Sequence, residues 1–150
     1  MPTALAPSHS RETPTRTSSS ISPAVTFLGR LLFVAIFLLA GPRHFLSSTI
    51  HFAASQGAPL ASIAVPLSGL VAVLGGLSIL LGFRAKLGAW LIVAFLAAVT
   101  PVMHRFWAAP DPVTFQVQFA MFMKNVSMAG AALLISQFGA GPWSIDAYRS

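Results

Sequence analysis

The residues of this chain able to do chemistry gather in two stretches. Within residues 102–128, His104, Arg105, Lys124 and Asn125 fall among Phe106, Trp107, Phe115, Phe119 and Phe122. Arg43 and His44 follow Gly41-Pro42 earlier in the chain. Imidazole, ammonium and carboxamide groups can donate hydrogen bonds to a carbonyl oxygen, and aromatic rings can wall a planar ligand. A quinone pocket asks for little more, so Arg43, His44, His104, Arg105, Lys124 and Asn125 are candidate ligand-binding residues. Phe106, Trp107 and Phe122 are its candidate walls.

Other chemistries fit less well. A bis-histidine haem needs two facing histidines; only His44 and His104 offer a pair, and His44 adjoins a kink. A metal centre wants three or four ligands, and His44, His51, His104 and Asp111 are too few and too scattered for one to be assigned. The sequence has no Cys, which excludes thiolate catalysis, Cys-ligated zinc and iron–sulfur clusters within this chain. No Ser/His/Asp triad, carboxylate pair or phosphate loop can be assembled, so no residue is assigned as catalytic.

The elements that position these residues follow from composition. Of 150 residues, 55% are hydrophobic and 8% charged, and the mean hydropathy is +0.77. A soluble domain carries about 25% charged residues. Twelve charged side chains cannot cover the surface of a soluble domain this size, and a bilayer removes the need. The net charge is +6, but the basic residues stand singly at segment ends, so nucleic acid is rejected as a partner and anionic lipid accounts for them.

Four apolar segments are expected as spanning helices: residues 25–40 with a possible extension to 46, then 60–82, 87–103 and 115–138. Each approaches the roughly 20 residues that cross hydrocarbon as helix. Short connections at 84–86 and 105–114 force neighbours to run antiparallel. The fold class is therefore all-α, an up-down-up-down four-helix transmembrane bundle. Arg11, Arg16, Arg84, Lys86 and Arg149 on one side, against Arg43, Arg105 and Lys124, give an N-in, C-in orientation. Arg30, near the start of the first span, is expected to snorkel to the inner surface.

Residues 1–24 are rich in Ser, Thr and Pro and are expected to form a disordered tail rather than a transit peptide or a cleaved signal. Residues 25–140 form the membrane domain and 141–150 a short C-terminal tail. Ser68, Ala72 and Gly76, with Gly69 and Gly75, make a small-residue face expected to be an internal helix contact; dimerisation is the alternative.

In this arrangement Arg43, His44, His104, Arg105, Lys124 and Asn125 collect on one membrane side, with His51 in a loop. Arg105 and Trp107 read as interfacial anchors. Asp111-Pro112 reads as a helix cap followed by a first-turn proline. Lys124 is harder to dismiss. A lysine at mid-span costs roughly 2.5–3.5 kcal/mol, so it is expected to face the bundle interior.

The stretches LGRLLFVAIFLLAGPRHF, LGGLSILLGFRAKLGA, MHRFWAAPDP and MFMKNVSMAGAALLI resemble the DoxX family of small bacterial membrane proteins, over residues 27–143. The resemblance implies a four-helix protein of the bacterial inner membrane. It also implies association with quinone-linked oxidoreductase complexes, in which the redox subunits would be partners. Arg30, His104, Phe106, Trp107, Lys124 and Asn125 match family-typical positions. Many relatives carry an acid where this chain has Ala72, so proton or electron chemistry that depends on it is in question here. Two functions remain open: a quinone-interacting membrane subunit, or a non-catalytic assembly or stress factor or small-solute carrier.

Overall fold

A computed structural model describes residues 22–149. The expected tail at 1–24 lies almost wholly outside the described residues. Six α-helices follow in order: α1 Pro23–Ala40, α2 Ser47–Ser55, α3 Ala61–Leu81, α4 Ala85–Met103, α5 Pro112–Phe138 and α6 Ile145–Arg149. Short 3₁₀ turns occupy Gly41–Phe45 and Phe106–Ala108. Four helices are long and apolar enough to cross a membrane: Pro23–Phe45, Ala61–Leu81, Ala85–Ala108 and Pro112–Phe138. The all-α, four-span architecture is as the sequence requires.

Local chemistry sets the ends. Pro23 and Pro112 open α1 and α5 at positions where a missing N–H costs no intrahelical bond. Asp111 caps α5, accepting from the backbone N–H of Val113 and Thr114. Gly82 ends α3 in the left-handed region at φ 64°. There the Gly82 N–H donates to Ile79 O and the Phe83 N–H to Ser78 O, the paired bonds of a Schellman stop.

α3 and α4 form the centre, with α1 packed on α3 and α5 on α4. Val34, Phe37, Ala72, Ile79, Ala89, Ile92, Leu96 and Ala132 make the core. Ala72, Ala89 and Ala132 in it, with Gly75 and Gly76 beside it, let the helices approach closely; lipid tails are as apolar as Leu, so packing rather than water exclusion must hold the helices. A Cβ on Gly76 would press on Leu38 of α1, and one on Gly75 on the Gly88 carbonyl of α4. The small-residue face is thus the internal contact that its spacing suggests. Large side chains such as Leu32, Leu39, Leu67, Leu74, Leu87 and Leu134 point outwards, where acyl chains meet them.

Two expectations need correction. His51 does not lie in a loop: α2 spans Ser47–Ser55 and packs through Ala53 against Ala61 and Val65 at the start of α3. The connection between the first two spans is long enough to form a helix that lies on the bundle end. Arg30 does not snorkel. It is 4% exposed, and its Nη2 donates to the Trp143 carbonyl at 2.5 Å. The C-terminal segment folds back over it. Asp146 accepts from the N–H of Arg84 at 2.9 Å and of Ala85 at 3.0 Å, which caps α4 and fastens that segment.

Candidate functional site

The end of the bundle opposite the termini holds two adjoining cavities that share His44. The larger, about 380 Å³, lies between α3 and α4 and is roofed by α2; His44, Ser68 and His104 supply its polar side chains, with Thr49 at α2. The smaller, about 130 Å³, lies deeper, where α1, α3, α4 and α5 converge, and is bounded by His44, Ala72, Phe95 and Asn125.

His44 reaches this place because Gly41-Pro42 breaks the α-helical ladder and tightens the chain into a 3₁₀ turn. That turn is jammed against α3: a Cβ on Gly69 would lie 2.5 Å from His44 Cβ and 2.7 Å from the Gly41 carbonyl oxygen. His44 Nδ1 is 2.9 Å from Ser68 Oγ. The Ser68 hydroxyl donates its own proton to the Val65 carbonyl at 2.7 Å, so the proton between His44 and Ser68 belongs to Nδ1. The His44 ring also lies 5.9 Å from that of Phe95.

His104 ends α4 and lines the larger cavity. Its Nδ1 is 3.0 Å from Gln118 Oε1 on α5. With the carboxamide oxygen accepting, Nδ1 again carries the proton. In both neutral rings Nε2 is then the remaining nitrogen, a hydrogen-bond acceptor for a ligand O–H.

Asn125 is buried at 8% exposure and its Nδ2 donates to Thr100 Oγ1 at 3.1 Å. It borders the smaller cavity and a shallow pocket shared with Phe122, Thr100 and Pro101. Gln118 and Asn125 stand seven residues apart, so one face of α5 carries both towards α4.

The other candidates separate from this group. Lys124 is exposed on α5 and its Nζ lies 3.2 Å from Met121 Sδ; the inward orientation expected for it is not found. Its neighbour Asn125 takes the interior because successive helical residues are rotated by about 100°. Arg43 is exposed and lines neither cavity. Arg105 Nη2 donates to the Gln56 carbonyl at 2.6 Å and so ties α4 to the end of α2.

Phe106 and Trp107 do not wall the cavity. Phe106 is the hub of an aromatic cluster, with centroids 5.1 Å from Trp107, 5.8 Å from Phe115, 5.3 Å from Phe119 and 5.2 Å from Phe122. These edge-on contacts brace the turn between α4 and α5. Among the described residues no group of three or more His, Cys, Asp or Glu could hold a metal ion.

Sequence reasoning missed Ser68, Thr100 and Gln118 as partners. Thr100 and His104 are four apart on α4, as Gln118 and Asn125 are seven apart on α5, and that shared helical phase was the available signal.

Four helices, each long and apolar enough to span a bilayer, around an apolar core with a few buried polar side chains define a small multi-pass integral membrane protein. Residues 25–105 match the DoxX family, and the chain belongs to it. It is similar to the inner membrane protein YphA of Escherichia coli (strain K12), at 29% identity over 126 residues, covering 83% of this chain and 89% of that protein. No solved structure matches. The protein is a multi-pass protein of the bacterial inner membrane.

Proposed function

We propose that the protein binds a quinone or quinol head group in the cavity between His44 and His104, as the membrane subunit of an oxidoreductase complex. The observation that carries this is the pair of imidazoles from different elements on one largely apolar cavity of about 380 Å³. That volume falls in the usual range of small-molecule sites, roughly 300–1,000 Å³. Each ring is held through Nδ1, so Nε2 can accept from a quinol hydroxyl or, once protonated, donate to a quinone carbonyl. The residues that hold the ring are His44 and His104; Ser68 and Gln118 orient them. Val65, Val99, Val102 and Met103 provide apolar wall. The role asked of this chain is to bind and orient the head group, while electron transfer belongs to a partner subunit.

Titration of the purified protein in nanodiscs with a short-chain quinol tests the proposal. Saturable binding that His44→Ala and His104→Ala each weaken supports it. Wild-type affinity in both variants removes it.

One observation favours the second reading, a non-catalytic assembly or stress role. Ala72, 1% exposed, borders the smaller cavity beside His44, so no carboxylate stands there to exchange protons. Gentle release from the native membrane followed by native mass spectrometry separates the two readings: a retained quinone or oxidoreductase subunit supports the first, phospholipid alone the second. The N-in, C-in orientation belongs to the same proposal, and cytoplasmic readout from reporters fused to both termini supports it.

A further inference from the structure

The far end of the bundle holds a different feature. Arg30 is 4% exposed, yet its Nε and Nη1 have no hydrogen-bond partner among the described residues. Its polar contact there is Nη2 to the Trp143 carbonyl, and Phe27 lies 5.6 Å from the guanidinium carbon. A buried guanidinium without a counter-charge is destabilising, because its lost hydration is not repaid. The sequence contains three acidic residues. Asp111 is at the opposite end, bonded to Val113 and Thr114. Asp146 commits one carboxylate oxygen to each of the Arg84 and Ala85 N–H groups. Glu12 lies outside the described residues.

Three left-handed residues shape the cover over Arg30. Residues 139–149 cross it as a strap, with Gly139 at φ 78°, Gly141 at φ 68° and Trp143, a bulky residue, at φ 56°. A left-handed tryptophan carries backbone strain. Beside the strap lies an open groove of about 560 Å³, lined by Arg84, Lys86, Leu87, Phe138, Ala140 and Ser144 among others. Arg30 stands just behind its wall: a Cβ on Gly82 would meet both Ser144 and Arg30 Nη1. The groove thus joins the basic Arg84 and Lys86 to apolar Leu87 and Phe138, with the Asp146 carboxylate on its lining held by the Arg84 and Ala85 N–H groups, and displacement of Ser144 and Trp143 would open it to Arg30.

We propose that Arg30 is a binding site for a phosphate group, reached when the strap lifts, and that its source is an anionic phospholipid whose chains lie along Leu87 and Phe138. Lifting the strap would free Nη2 from the Trp143 carbonyl, and Nη2 with the unpartnered Nε would then present a fork that fits two phosphate oxygens. Lys86 and Arg84 would hold the headgroup's remaining charge.

The test is the melting temperature of the purified full chain in neutral detergent. It is compared with phosphatidylglycerol, phosphatidylcholine or inorganic phosphate added. Phosphatidylglycerol raises it more than phosphatidylcholine does, and Arg30→Gln binds that lipid about tenfold more weakly, the loss of one charge-assisted hydrogen bond. Glu12→Gln keeps the shift. A matching rise with inorganic phosphate alone, lost in Arg30→Gln, supports the phosphate site and assigns it to a soluble ion. Equal stabilisation of wild type and Arg30→Gln overturns the proposal, as does a shift that is absent from wild type and appears only in Glu12→Gln, which would make Glu12 the counter-charge. Should Arg30→Gln fail to fold, Asp146→Asn decides. It unfastens the strap and leaves Arg30 intact, so lipid exchange seen by native mass spectrometry quickens; an unchanged exchange rate overturns the proposal.

Discussion

His44 and His104 border one cavity, and each is held at Nδ1 by a side chain of another helix, Ser68 at 2.9 Å and Gln118 at 3.0 Å. The two bonds fix the tautomer of both rings in the same sense and prevent either from turning away. If the cavity takes the proposed head group, two imidazoles oriented in advance would bind it better than two free histidines would.

Removing either ring should therefore weaken quinol binding by about tenfold, the worth of one hydrogen bond to ligand. Lys124→Ala should bind as wild type does, because Lys124 points away from the cavity. Calorimetric titration of the three variants checks this. A loss in Lys124→Ala equal to that in His104→Ala would move the site to the outer face of α5.

Gly69 tests how closely the 3₁₀ turn must sit. Ala at this position places a Cβ 2.5 Å from His44 Cβ and 2.7 Å from a carbonyl oxygen, and neither can yield without moving backbone. Overpacking of this kind costs about 1–3 kcal/mol. Gly130, with nothing within 4 Å of an added Cβ, is the control: Gly130→Ala should be neutral or stabilise by up to about 1 kcal/mol through helix propensity. Thermal unfolding in detergent compares the two. Equal effects would mean that α1 and α3 are not in this contact.

Most of the fold was legible because spanning helices announce themselves by length and hydropathy, and because Gly82, Gly41-Pro42 and Asp111-Pro112 punctuate them. The site was legible only in part. The sequence placed Arg43, His44, His104, Arg105, Lys124 and Asn125 together at one end of the bundle, but which way each faces depends on helix rotation, and His44, His104 and Asn125 are the ones that border the cavities. α5 carries polar groups all round, with Gln118 and Asn125 inward and Lys124 and Ser127 exposed, so its sequence does not phase the helix. Arg30 misled for a different reason. Snorkelling describes an arginine with water above it, and here a segment far along the chain returns to cover it.

Asn125 and Thr100 form a buried pair across α4 and α5. Asn125→Ala should cost about 1–2 kcal/mol, since interhelical polar contacts in membranes span that range or less. Asn125→Leu should cost less, because it removes the polar group while keeping volume at the edge of two cavities. Unfolding in a denaturing detergent series reads both. A Leu variant less stable than the Ala variant would show that the position is limited by space rather than by hydrogen bonding.

Asp111 gives the chain a pH dependence at the start of α5. The Thr114 hydroxyl donates to Oδ2 at 2.6 Å, and the N–H groups of Thr114 and Val113 donate to Oδ1 at 3.0 Å. These bonds, the hydroxyl's first, hold the carboxyl below its ordinary value of 3.8. A pKa depressed on folding means that the ionised cap stabilises the folded state at pH values above 3.8. That contribution is lost as the pH falls from there through the folded pKa. The melting temperature of wild type should thus drop across this acid window, whereas Asp111→Ala, already lacking the cap, should be lower at neutral pH and flatter below it. Because the carboxylate is fully exposed, salt should narrow the difference between the two proteins. Parallel acid melting curves for wild type and Asp111→Ala would show that the cap does not hold the turn between α4 and α5.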